Sequence, residues 1–79
     1  SEESRDYSRA LVSLKEEIEA IDWYQQRMDV TNDKQLKKIL QHNRDEEIEH
    51  SCMLLEWLRE NMKGWDELMK ASLFSSENA

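Results

Sequence analysis

The chain has 79 residues, with eleven Lys and Arg against eighteen Asp and Glu for a net charge of −7, and only 38% of its residues are hydrophobic. That length allows one domain, and the apolar content is low for a chain that must build a core alone, so a partner is expected. One Gly and no Pro leave the chain without the punctuation that β-hairpins require, and an all-α fold is predicted. The basic residues are scattered among the acids, which argues against nucleic acid and favours metal cations. The longest apolar run, residues 52–55, is too short to cross a bilayer, and the first residues lack the apolar segment of a signal peptide. A soluble, cytoplasmic protein without a membrane partner is therefore expected. Cys52 is the single cysteine, which excludes an internal disulfide and fits a reducing compartment. Because the chain opens on Ser rather than Met, a trimmed chain with either terminus incomplete is also expected.

In chain order, residues 1–4 are polar and expected to fray. Tyr7, Leu11, Leu14, Ile18, Ile21, Gln25 and Met28 then recur at steps of four and three residues, predicting a helix over about residues 6–29. Residues 30–33 interrupt it, and Asn32 with Gln35 resembles a capping pair for the next helix. That helix is predicted over about residues 33–62, with a face through Leu36, Leu40, Asn43, Glu47, His50, Leu54 and Trp57. Gly64 is expected to cap its C-terminus in a left-handed conformation. A short helix over about residues 65–73 and a polar tail at 75–79 complete the chain. The predicted fold is an antiparallel two-helix hairpin with a short C-terminal helix, in one domain over residues 1–79.

The middle of the second stripe is polar, with Asn43, Glu47 and His50 where a core should lie. A buried carboxylate needs compensation. Glu47 and His50, three residues apart, project side by side and both suit a transition metal. On the first helix, Glu17 flanks Leu14 and Ile18 and can reach the same layer, with Tyr24 one heptad later on that edge. Di-iron carboxylate bundles take a Glu from each of two helices and a Glu-x-x-His from each of two others. This chain supplies one of each, and a twofold dimer would supply the rest by symmetry. Read without metal, the same residues are a solvated Glu47, an interfacial His50 and a Glu17 on a charged face. His42 has no acid three residues before it and is assigned a surface or capping role. Cys52 faces away from the stripe and is read as a small packed hydrophobe. Ile48, Cys52, Leu55 and Met62 form a second apolar face, which packing by Trp65, Leu68 and Leu73 could cover; otherwise the dimers themselves associate.

Residues 16–24 (EEIEAIDWY), 42–50 (HNRDEEIEH) and 55–59 (LEWLR) together resemble the encapsulated ferritins, the ferritin-like cargo of encapsulin nanocompartments. The resemblance runs from about Ser8 to Phe74 and includes the spacing between the segments. It implies a ferritin-like four-helix bundle built by dimerisation, with Glu17, Glu47 and His50 as iron ligands of a ferroxidase centre shared between two chains. It assigns Glu16 and Glu19 to an outer acidic site that passes metal inward, open to calcium or iron, with Trp23 near that route and Tyr24 beside the ligands. It also implies a ring of dimers, a homodecamer, in the lumen of an encapsulin shell within the cytoplasm, with that shell protein as partner. Family members usually carry a C-terminal shell-targeting peptide, and nothing after Phe74 resembles one.

The expected chemistry follows from the donors. Hard carboxylate oxygens with imidazole favour Fe(III) over Fe(II), so oxidation of a bound iron pair by dioxygen becomes favourable. The alternatives are a structural helical oligomerisation module with polar residues that set register, and a protein that binds divalent metal without redox chemistry.

Overall fold

Three helices form, α1 (Glu2–Val30), α2 (Lys34–Asn61) and α3 (Trp65–Ser72), in a computed structural model that describes residues 1–73. The expected polar tail lies outside those residues. α1 begins four residues before the predicted start because residue 1 caps it: Ser1 Oγ accepts from the Ser4 amide at 3.2 Å. Glu2 and Glu3 then occupy the first turn, where carboxylates complement the positive end of the helix dipole. The apolar pattern is silent about both effects.

The cap of α2 is Asp33 rather than Asn32. Asp33 Oδ1 accepts from the amides of Gln35 at 2.9 Å and Leu36 at 3.0 Å, and its own amide donates to Thr31 Oγ1 at 3.2 Å. The expected cap thus shifts by one residue, because a carboxylate takes two orphan amides at once. α2 ends at Asn61, where the Met62 amide donates to Leu58 O at 2.8 Å. Gly64 has the expected positive φ, 105°, but sits at the N-cap of α3 and does not close α2.

Three links fix the antiparallel register of α1 on α2: the Tyr7 hydroxyl donates to Asn61 O at 3.1 Å, Glu17 faces His50, and Arg44 Nη1 donates to Gln25 Oε1 at 2.8 Å. The core lies at the open end of the hairpin, where Ala10, Leu14 and Leu58 are buried and Leu54, Leu55, Trp57, Met62 and Trp65 pack on them. Tyr7 meets Trp57 edge-on with ring centroids 6.3 Å apart. Leu58 is fully buried, which stabilises the fold by roughly 1.5–3 kcal/mol. At the loop end, Met28 and Leu40 are buried.

The seam that joins the helices differs from the predicted stripes by one residue at alternate positions. On α1, Tyr7, Ala10, Leu14, Glu17, Ile21, Tyr24 and Met28 are buried or half-buried, while Leu11 and Ile18 are exposed. On α2 the seam runs through Leu40, Arg44, Glu47, Ser51, Leu54 and Leu58, and Leu36 is exposed. A two-helix seam buries only one of the two apolar rows that a broad stripe provides.

The second apolar face is also redistributed. Leu55 and Met62 pack on the core, whereas Ile48 remains exposed. Cys52, expected to be packed, is exposed, because no described element covers the side of α2 that carries it. Trp65 anchors α3, donating to Met62 Sδ at 3.4 Å, but Leu68 and Leu73 are exposed. An eight-residue helix covers only the open end of the hairpin. Arg59 ties it down with 3.0 Å to Asp66, while within α2 it pairs with Glu56 at 2.7 Å and holds that carboxyl at about 2.

Candidate metal centre

Midway along the hairpin the apolar seam gives way to ionisable side chains. Glu17 projects from α1 at a seam position, and Glu47 and His50 project from consecutive turns of α2 toward it. One donor atom from each of the three lies within 4.8 Å of the others. His50 Nδ1 is 3.4 Å from Glu17 Oε2 and 3.5 Å from Glu47 Oε2. The two carboxylate side chains are mostly enclosed, at 24% and 23% exposure, while the imidazole is 46% exposed and lies at the open edge.

Glu17 Oε2 is buried without accepting a hydrogen bond. His50 Nδ1 is within ion-pair range of it but too distant for a good hydrogen bond. A buried, unsatisfied carboxylate oxygen beside a second carboxylate and an imidazole is unfavourable for the chain alone, and a cation placed among the three relieves it. The donor set of two carboxylates and one imidazole suits iron, manganese or zinc, with room for further ligands.

Ser51 lies beneath the cluster. It is buried, and its hydroxyl donates to Glu47 O at 2.9 Å instead of to Glu17. Asn43, expected on this stripe, is half-buried farther toward the loop. His42 is exposed and pairs with Glu46 one turn on, in keeping with a surface role.

The remaining sequence candidates stand apart from the cluster. Glu16 and Glu19 are exposed, and Trp23 is 61% exposed. Tyr24 is half-buried on the same row of α1 as Glu17, one heptad later. The Arg27 guanidinium lies over both rings, 5.7 Å from the Trp23 centroid and 5.9 Å from that of Tyr24. Arg44 and Ser51 were not singled out from the sequence. Counting the seam by threes and fours from Leu40 rather than Leu36 would have found both.

No helix among the described residues is long and apolar enough to cross a membrane. The family described as EncFtn-like matches residues 1–76. A "Ferritin-like protein" of Thermotoga maritima is 62% identical over 73 residues, covering 92% of this chain and 64% of that protein. An "Encapsulated ferritin-like protein" of Rhodospirillum rubrum is 53% identical over 74 residues, covering 94% of this chain and 53% of that protein. The chain thus spans less than two thirds of the length of these relatives. A crystal structure of protein ne0167 from Nitrosomonas europaea superposes with a TM-score of 0.90 at 53% identity, over 95% of this chain and 82% of that one.

Proposed function

Because the chain belongs to the EncFtn-like family and brings Glu17, Glu47 and His50 together, we propose that it is a ferroxidase that oxidises Fe(II) to Fe(III) for storage. The observation that carries this reading is the cluster itself, with donor atoms within 4.8 Å and a buried carboxylate oxygen left without a hydrogen bond. One chain offers half of the ligand set that a di-iron carboxylate bundle takes from four helices. A second copy related by a twofold axis supplies the other half, placing an iron pair across the dimer interface and completing a four-helix bundle.

In this reading iron is the substrate. Fe(II) is drawn by the negative field of the chain, and Glu17, Glu47 and, from the open edge, His50 would hold it. Hard anionic oxygen stabilises the higher charge, so each ion passes one electron to an oxidant such as dioxygen and is released as Fe(III). Glu16 and Glu19 form an outer acidic site, open to calcium or iron, that concentrates cations near Trp23. Tyr24, one heptad from Glu17, orients the ligands by hydrogen bonding.

The exposed Leu11 and Ile18 on α1 and Ile48 on α2 leave apolar surface for association of dimers, and the ring-like decamer is the form that the family resemblance implies for it. The name of the Rhodospirillum relative supports a place inside an encapsulin shell in the cytoplasm, with the shell protein as partner.

The test is metal content and Fe(II) oxidation together. Native mass spectrometry with and without Fe(II) is expected to give one iron per chain, appearing with a higher oligomer. Replacing Glu47 or His50 by Ala is expected to abolish both iron uptake and oxidation. Oxidation at the wild-type rate in either variant refutes the assignment, and metal-free oligomers would instead identify a structural module.

A further inference from the structure

One turn toward the loop from the carboxylates, the seam carries a cation. Arg44 precedes Glu47 by three residues, its side chain is 23% exposed, and its guanidinium lies between the helices. There Nη1 donates to the neutral Gln25 Oε1 at 2.8 Å, while Nε and Nη2 reach the Asp45 carboxylate on the outer side at 3.3 Å and 3.0 Å. Among the described residues Arg44 has no partner in Glu17 or Glu47, although both are unlike charges in the same seam. A cation at this position enters the centre's electrostatics without touching it. We propose that Arg44 is a specificity-determining residue that acts through its field: it weakens the centre for cations, and for trivalent ions more than divalent ones, so that the oxidised product is released.

The argument is one of distance and charge. Arg44 and Glu47 are just under one helical turn apart, and Gln25 is eight residues from Glu17 on α1, which puts the guanidinium ~10 Å from the donor atoms. The pair with Asp45 leaves the positive end of the dipole turned toward the seam. Through a medium between protein and water, a unit charge at that distance lowers affinity for a divalent ion on the order of tenfold. Coulomb energy scales with ion charge, so the effect on a trivalent ion is the same factor to the power three halves, roughly thirtyfold. A residue that merely tethered α1 to α2 would have the opposite sign, since its loss would loosen the centre and weaken binding.

This inference rests on the proposed metal centre, and the experiment separates the two. The full chain, stripped with chelator, is titrated calorimetrically with Co(II) and with Tb(III), redox-inert probes of the two charge states, as wild type, R44Q, R44K and E47A. Gln at position 44 keeps a hydrogen-bond donor for Gln25 while removing the charge; Lys keeps the charge. The expected result is R44Q binding Co(II) about tenfold and Tb(III) about thirtyfold more tightly than wild type, with R44K within about twofold of wild type for both. Equal or weaker binding by R44Q overturns the role of Arg44, as does an equal gain for the two ions. Wild-type binding no different from that of E47A overturns the metal centre, and with it the inference.

Discussion

Glu17→Leu is expected to make the metal-free chain more stable while removing its metal response. Glu17 occupies a seam position between Leu14 and Ile21, and its Oε2 is buried without a hydrogen bond. Leaving a buried acceptor unsatisfied costs about 1–3 kcal/mol. Leu at the same place adds apolar burial, limited because the side chain remains about one quarter exposed. With allowance for imperfect packing, the net gain is about 2 kcal/mol, or a rise in Tm of about 10 °C for a domain of this size. Thermal unfolding followed by far-UV circular dichroism, in chelator and at matched protein concentration, measures it, with the exposed Val12→Leu as control. Added Co(II) should raise the Tm of wild type and leave Glu17→Leu unmoved. A Tm in chelator equal to or below that of wild type would refute the reasoning, because the carboxylate would then be comfortable in its place without a cation.

Leu58→Ala, which empties the one fully buried leucine of the core, should cost about 2–5 kcal/mol by chemical denaturation. Asp33→Ala removes the acceptor of two α2 amides and should cost about 1 kcal/mol, while Asn32→Ala, which removes the expected cap, should be near neutral. The Glu56 carboxyl is held from 4.5 down to about 2 chiefly by the hydrogen bond from Arg59. A lowered folded-state value contributes stability that is complete above pH 4.5 and lost as the pH falls toward 2. The Asp66 carboxyl, which joins α3 to Arg59, is likewise held below its ordinary value by that guanidinium, so Trp65 fluorescence should report loosening of α3 as the pH falls and Asp66→Asn should flatten the change; an identical acid profile in Asp66→Asn would contradict the role of the Arg59 pair.

The helices were legible in the sequence because a three-four alternation sustained over four turns has no other reading. The seam was less so. Leu11 and Ile18 on α1, and Leu36 on α2, have the same periodicity as the buried rows, and no single-chain pattern says which of two adjacent rows the partner helix will take. The rotation the helices adopt is the one that buries the small side chains Ala10 and Ser51 in the seam. Glu47 and His50 were legible as a pair from their spacing, and Glu17 from its place beside Leu14. Cys52 was misread because its burial depends on what covers that side of α2, and no described element does. The caps were misread for a local reason: Asn32 and Asp33 are equally good on paper, and one residue of loop geometry decides between them.

The polar middle of the hairpin connects stability with the proposed function. Among the described residues the buried apolar side chains lie at the open end, around Leu58, and at Met28 and Leu40 near the loop, with Ile21 and Tyr24 half-buried between. Between them the seam carries Glu17, Ser51, Glu47 and Arg44, which bury little that water would not hold as well. A cation bound only by the folded hairpin stabilises it by mass action, about 2.7 kcal/mol when present at a hundred times its dissociation constant. That matches the roughly 2 kcal/mol that Leu at position 17 would supply permanently. Replacing the carboxylate therefore exchanges a stability that depends on cargo for one that does not. If the proposed centre holds a cation, a chain that keeps Glu17 should fold best when loaded, which the chelator and Co(II) melting curves of wild type and Glu17→Leu compare directly.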